Sequence, residues 1–136
     1  MVAATPAIDL PTVNKLVWST LAAVDHGNIT GNYSVLRDLG APSFQANNNA
    51  ATLAGVFAAL RAQRVDLSNT LLVAPVFDFA PAIVQGGLLR VRGQFALRPT
   101  AIGFDLLYLY VGGRWQLFGV AVVPLALPTG QAPARR

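Results

Sequence analysis

The side chains able to carry acid–base or metal chemistry are few in this sequence. Among 136 residues there are one histidine, six aspartates, no glutamate and no cysteine. The lack of cysteine excludes thiol catalysis and disulfide bonds. One histidine and scattered aspartates give no metal-ligand spacing, so neither a metal site nor a cofactor is predicted. Any catalysis would be general acid–base chemistry by a carboxylate or by the histidine.

Two residues, Asp78 and His26, are weak catalytic candidates. His26 follows Asp25 near the end of a predicted helix, where adjacent side chains point about 100° apart and do not orient each other. A capping role that uses the helix dipole is therefore favoured for His26. Asp78 lies between two phenylalanines, an environment that raises a carboxyl pKa. An edge-strand acid facing water is nevertheless the preferred interpretation, and no catalytic residue is assigned.

The strongest local signal is a hairpin near the end of the chain. Two runs rich in β-branched and aromatic residues flank Gly112 and Gly113, which predicts a two-residue primed turn. The turn fixes the register and divides the side chains between two faces. The pairs on one face are Tyr110–Trp115, Tyr108–Leu117 and Leu106–Gly119. Those on the other are Val111–Arg114, Leu109–Gln116, Leu107–Phe118 and Asp105–Val120.

Helical periodicity comes before strand periodicity along the chain. A first helix is predicted from the N-cap Asp9 to Gly27, a second short one from Thr30 to Gly40, and an extended link at Phe44. A third helix follows the asparagines at 47–49, and its apolar stripe is Leu53, Val56, Phe57 and Leu60. Strands are predicted at 71–79 and 88–98, with a loop at 81–87 between them.

This order predicts an α+β domain: three N-terminal helices packed on a bent antiparallel sheet of about four strands. A single domain at residues 9–124 is expected between a flexible N-terminus at 1–8 and a disordered tail at 125–136. No apolar run reaches the roughly 18 residues of a membrane span. The net charge of +4 is scattered, and the stripe Arg90, Arg92 and Arg98 is too short to predict nucleic-acid binding.

Three segments resemble nuclear-transport-factor-2-like proteins, also called SnoaL-like or cystatin-like. Residues 23–28 (Ala-Val-Asp-His-Gly-Asn) followed by 31–44 are similar to the helix, "Gly-Asp-Tyr" and short-helix opening of that superfamily. Residues 113–119 (Gly-Arg-Trp-Gln-Leu-Phe-Gly) resemble its "Gly-x-Trp-x-Leu/Ile" strand. Residues 88–99 and 104–108 look like a bacterial branch whose members are often exported. The resemblance covers about residues 12–124.

The resemblance implies a cone-shaped half-barrel with a pocket at its open end, and homodimers formed through the outer sheet face. Members of the superfamily include ketosteroid isomerases, polyketide cyclases, dehydratases and non-catalytic binding or assembly domains, so fold alone does not assign function. An exported or periplasmic location, with a signal peptide absent from this sequence, stays open beside a cytoplasmic one.

Site residues follow from the resemblance and the hairpin register together. A ligand pocket on the helix-facing side is predicted from six aromatic residues: Trp18, Tyr33, Phe57, Tyr108, Tyr110 and Trp115. A dimer interface on the opposite face is predicted from Arg90, Arg92, Leu107, Leu109, Gln116, Phe118 and Val120. Asp105 is expected to pair with an arginine of the preceding strand.

The predicted function is a non-catalytic domain that binds a small apolar ligand or a protein partner and acts as a homodimer. The alternative is an acid–base isomerase, cyclase or dehydratase acting on a hydrophobic cyclic substrate. That enzyme would use Asp78 or His26 together with a tyrosine.

Overall fold

The computed structural model describes residues 8–98 and 100–125. Helices come first and are followed by a curled antiparallel sheet of five strands, which in the described part of the chain does not close into a barrel. The predicted α+β class is confirmed. The predicted flexible N-terminus and disordered tail lie outside the described residues, except for Ile8 and for Leu125, which ends the last strand.

Helix α1 spans Leu10–Thr30 and begins where the sequence predicts. The Asp9 carboxylate caps it by accepting the Thr12 N–H at 2.8 Å. The prediction that Gly27 ends the helix is wrong, because α1 continues to Gly31, whose φ of 77° is left-handed. Gly27 serves packing instead: a Cβ there would lie 2.3 Å from the ring of Tyr33.

Four short helices follow: α2 (Ser34–Asp38), α3 (Pro42–Asn47), α4 (Ala50–Val56) and α5 (Ala58–Ala62). Phe44 was predicted in an extended link but lies inside α3. The predicted third helix is interrupted at Phe57, whose φ of −104° and ψ of 13° leave the helical region. Phe57 itself is fully buried, whereas Val56 from the predicted apolar stripe is 48% exposed. The count of three helices is therefore too low.

Most of the segment predicted as a strand at 71–79 does not form a strand. A 3-10 helix spans Leu67–Leu72, and strand β1 is only Val76–Phe77. Asp66 starts the 3-10 turn by accepting the Ser68 N–H at 2.9 Å. The indole N–H of Trp18 donates to the carbonyls of Thr70 at 2.9 Å and Val73 at 3.1 Å. The Thr70 and Val73 carbonyls, which a strand would pair across the sheet, thus accept hydrogen bonds from a side chain of α1.

The other strands are β2 (Ala82–Val84), β3 (Leu88–Phe95), β4 (Ala101–Val111) and β5 (Arg114–Leu125). Their order is β1-β3-β4-β5, and β2 also pairs with β3. Strand β2 lies in the segment predicted as a loop. Gly112 and Gly113 have φ of 60° and 84°, as a primed turn requires. The first four predicted hairpin pairs, from Val111–Arg114 to Tyr108–Leu117, are confirmed.

A β-bulge between Leu107 and Tyr108 changes the register further along the hairpin. The next three pairs are Leu107–Gly119, Leu106–Val120 and Asp105–Ala121. The corresponding predicted pairs are wrong, because a period-two pattern does not reveal an inserted residue. Gly119 consequently lies opposite Leu107 on the outer face rather than under a helix. Val120, predicted in the dimer interface, packs against the core instead.

The core fills the space between α1, the short helices and the inner face of the sheet. Val17, Leu21, Leu53, Leu89 and Leu106 are all fully buried there. None of the helices in residues 8–98 and 100–125 has the length and apolar character that crossing a membrane requires.

Candidate functional site

The aromatic residues predicted to line a ligand pocket do not share one cavity. Tyr33 and Phe57 stack on each other in the core with ring centroids 5.9 Å apart. Tyr110 packs edge-on against Trp115 at 5.3 Å. Tyr108 and Trp115 border a common cavity, and its volume is about 40 Å³. That space is close to the roughly 30 Å³ share of one water molecule in the liquid, so the helix-facing side of the sheet is occupied by the protein's own side chains.

The hydroxyl of Tyr108 ties the sheet to α1. It lies 2.7 Å from the Thr20 hydroxyl and donates to the Leu16 carbonyl at 3.1 Å. The Thr20 hydroxyl also lies 2.8 Å from that carbonyl, and the two hydroxyl protons serve these three contacts. Burial raises the pKa of Tyr108, and the hydrogen bond with Thr20 opposes the shift only in part. A buried phenol with satisfied partners acts as a structural link between elements.

The outer face of the sheet carries two ion pairs. Arg90 binds Asp105 through two hydrogen bonds, Nη2 to Oδ2 at 2.8 Å and Nε to Oδ1 at 3.2 Å. This confirms the predicted cross-strand pairing of Asp105 with an arginine, and Asp105 raises the pKa of Arg90. Arg92 lies 3.3 Å from the carboxylate of Asp78. These four side chains are between 35% and 52% exposed.

Two shallow depressions flank this charged row. One, of about 290 Å³, is bordered by Asp78, Arg92 and Gly103. The other, of about 390 Å³, is bordered by Arg90, Leu107 and Gly119 and is more apolar. Of the residues predicted for the dimer interface, all except Val120 have their side chains on or at the edge of this face. Those six are Arg90, Arg92, Leu107, Leu109, Gln116 and Phe118.

The two weak catalytic candidates, Asp78 and His26, have different surroundings. Asp78 is half-exposed and paired with Arg92, and its N–H donates to the Arg92 carbonyl at 2.9 Å. His26 is exposed on α1, and its carbonyl accepts the Thr30 hydroxyl at 2.7 Å. No group of three or more histidine or aspartate side chains in the described ranges could hold a metal ion.

A third cleft, which the sequence reasoning missed, lies between the end of α1, helix α5 and the start of the 3-10 helix. Its volume is about 280 Å³. The residues that line it include both charges and apolar walls: Asp25, Asn28, Ile29, Leu60, Arg61, Arg64, Val65 and Asp66. We call it the Asp25 cleft.

Asp25 is the most buried charged residue of the described chain, with 6% exposure. Burial raises its pKa, and the negative charge of Asp66 adds to that rise. The positive charge of His26 and the backbone N–H of Leu67 oppose it. A buried carboxylate without an ion-pair partner is costly, and such groups concentrate at functional sites.

A chain of hydrogen bonds crosses the wall of the cleft. Arg61 Nη1 donates to the Tyr33 hydroxyl and to the Ala54 carbonyl, each at 2.7 Å. Because the Tyr33 hydroxyl accepts from Arg61, its own proton goes to Asn28 Oδ1. This fixes the orientation of the Asn28 amide. Its Nδ2 is buried and has no partner in the described part of the chain.

Two signals in the sequence could have pointed to this cleft. Asp25 directly follows the buried Val24 in the apolar stripe of α1, which is an unusual place for a charge. The run from Arg61 to Asp66 holds three charged residues beside the apolar Val65. Sequence reasoning considered Asp25 only as a neighbour of His26, because their spatial relation to α5 is a tertiary feature.

Comparison with known proteins identifies no relative. No protein-family model, curated protein or solved structure matches the chain significantly.

Proposed function

We propose that the chain is a non-catalytic interaction domain of the nuclear-transport-factor-2-like type that acts as a homodimer through the outer face of its sheet. The observation that carries the proposal is that one face of the sheet is covered by other elements and the opposite face is not. Helices and core side chains cover the inner face, whereas the outer face has no covering element in the described residues. Helices on one face of a curled sheet are also what the sequence resemblance implies.

The charges of the outer face favour a second copy of the same chain as the partner. The row holds two arginines and two aspartates within two strands and one edge segment. A two-fold axis brings the same patch of both copies together, so each copy would supply both positive and negative groups to the interface. The apolar residues Leu107, Leu109 and Phe118 beside the row supply the area that association needs.

The enzyme alternative has less support. Its two candidate groups, Asp78 and His26, are exposed, and Asp78 is neutralised by Arg92. The buried tyrosine Tyr108 is committed to Thr20 and Leu16. An acid–base enzyme needs a free, positioned carboxylate or histidine at a concave site. Asp78 borders a depression, but its carboxylate is already paired with Arg92, and His26 borders none of the clefts described above.

Sedimentation equilibrium tests the proposal on three proteins: the unaltered chain, Leu107→Arg and Val35→Arg. Val35 is 60% exposed on α2, away from the outer sheet face, so its substitution is a matched control. We expect a dimer at micromolar concentration for the unaltered chain and the control, and a monomer for Leu107→Arg. An unaltered chain that stays monomeric, or a Leu107→Arg variant that dimerises equally well, contradicts the proposal.

A further inference from the structure

We propose that the Asp25 cleft binds a small zwitterion of the α-amino-acid class, with its ammonium group at Asp25 and its carboxylate at Arg61 and Arg64. The proposal is independent of the outer sheet face and of dimer formation. It rests on the arrangement of charges in the cleft, on unused hydrogen-bond donors in its wall, and on its size.

The acidic and basic groups of the cleft make no direct ion pair with each other within the described ranges. The charges of Asp66 and His26 shift the pKa of Asp25, but neither arginine is among the groups that shift this pKa. No ion pair joins Asp25 or Asp66 to Arg61 or Arg64 within the described ranges. The cleft therefore presents carboxylates and guanidinium groups that do not neutralise each other by direct contact, and we call these its negative and positive ends. A ligand with both charges is complementary to them.

Asp25 forms no ion pair with a cationic side chain of the described residues. The Asp25 side chain is more than nine-tenths buried and lines the cleft, and the described residues provide no salt-bridge partner for it. Asp66, the neighbouring carboxylate, already accepts from the Ser68 N–H and hydroxyl. An ammonium group would neutralise Asp25 and relieve its repulsion with Asp66.

The positive end has spare donors. Both protons of Arg61 Nη1 are used by Tyr33 and Ala54. These bonds fix the guanidinium, and its Nε and Nη2 have no hydrogen-bond partner among the described residues. These two nitrogens form a fork that matches a carboxylate. The buried Nδ2 of Asn28 is a further unmet donor at this wall, and an oxygen acceptor in the cleft is the group that would satisfy it.

Arg64 adds a separate indication. It has a φ of 54° and is the non-glycine residue with positive φ in the described chain. The Val65 N–H donates to the Leu60 carbonyl at 3.1 Å, a helix ending that favours glycine at this position. An arginine there is conformationally costly, which is consistent with a use for its side chain.

The size and the apolar walls of the cleft limit which ligands fit it. At about 280 Å³, the cleft is just below the roughly 300–1,000 Å³ of drug-sized ligand pockets, which suits a single amino acid. Ile29, Leu60 and Val65 provide apolar walls. A branched aliphatic side chain fits that lining, so L-leucine is the probe of choice.

Isothermal titration calorimetry with three probes separates the two charged ends. The probes are L-leucine, isopentylamine, which lacks the carboxylate, and isocaproate, which lacks the ammonium group. We expect leucine to bind and each single-charge analogue to bind at least about tenfold more weakly. Isopentylamine binding as tightly as leucine, or no binding of leucine at millimolar concentration, overturns the proposal.

Three variants assign the effect to the cleft. Asp25→Asn and Arg64→Gln should each weaken leucine binding at least about tenfold, while Arg114→Gln at the exposed hairpin turn should bind as the unaltered chain does. Thermal melting verifies that each variant is folded. Leucine binding that is unchanged in both cleft variants overturns the proposal. The outcome is independent of the Leu107→Arg test, which reports on dimer formation alone.

Discussion

The inner and outer faces of the sheet come from the same strands but have different roles. On β4, Leu106 and Tyr108 point inward and are at most 2% exposed, whereas their neighbours Leu107 and Leu109 point outward and are half-buried. The inner face is closed by hydrophobic packing and a few satisfied polar groups. The outer face holds ion pairs with exposed apolar side chains beside them. Stability of the monomer therefore depends on the first face, and the proposed homodimer would use the second.

The largest expected effect is a direct test of this contrast on two adjacent leucines. Leu106→Ala should lower the free energy of unfolding by about 2–5 kcal/mol, because it leaves a cavity in the core. Leu107→Ala should cost much less in the monomer, because its site is open to water. Urea denaturation of both variants at dilute concentration measures the difference. Equal losses would contradict the assignment of the two faces.

A second expected effect concerns the close contact between α1 and Tyr33. Gly27→Ala should destabilise the protein by about 1–3 kcal/mol through overpacking, since the new Cβ would lie 2.3 Å from the Tyr33 ring. Gly55→Ala in α4 is the matched control, with no atom within 4 Å of its Cβ, and should stabilise by about 0.5–1 kcal/mol. Denaturation midpoints that shift in the same direction would disprove the close approach.

The third expected effect separates two tyrosines of β4. Tyr108→Phe should cost about 1 kcal/mol, because it removes a buried hydroxyl that bonds Thr20 and Leu16. Tyr110→Phe should have a smaller effect, since the described chain shows no hydrogen bond to its hydroxyl. Thermal and urea unfolding of the pair give the comparison. A larger loss for Tyr110→Phe would show that Tyr108 does not link α1 to the sheet.

The smallest expected effect is found by comparing two carboxylates, Asp25 on the helix side of the sheet and Asp105 on its outer face. The pKa of Asp25 is raised in the folded state, chiefly by burial, so its ionisation opposes folding once the pH exceeds the folded pKa. Asp25→Asn should therefore raise the melting temperature at neutral pH. The gain should shrink as the pH falls towards 3.8, the ordinary value.

Asp105→Asn is the control on the outer face. It removes an ion pair with Arg90 and should not stabilise the protein at neutral pH. Melting curves from acidic to neutral pH distinguish the two variants. A stability gain for Asp25→Asn that is independent of pH would mean that burial of its charge is not the cause.

Several local features could be predicted because they depend on a few adjacent residues. Asp9 caps α1, and two glycines form the primed turn that fixes the first four hairpin pairs. The bulge after those pairs could not be predicted, since an inserted residue leaves no mark on an alternating apolar pattern. The error at Gly27 has a similar origin, because a glycine that ends a helix and one that admits a distant ring look the same in sequence.

The candidate sites also include some features that could be predicted from the sequence and others that could not. The apolar and charged residue types determined that a core, a two-sided hairpin and an Asp–Arg pair would form. Tertiary structure alone decided that four of the predicted aromatic pocket residues pack in two pairs, Tyr33 with Phe57 and Tyr110 with Trp115. It also decided that Trp18 holds a 3-10 segment in place of a strand, and that Asp25, Asn28 and Arg61 meet at one cleft. Periodicity specifies which face of an element is apolar, but which distant element covers that face depends on contacts across the whole chain.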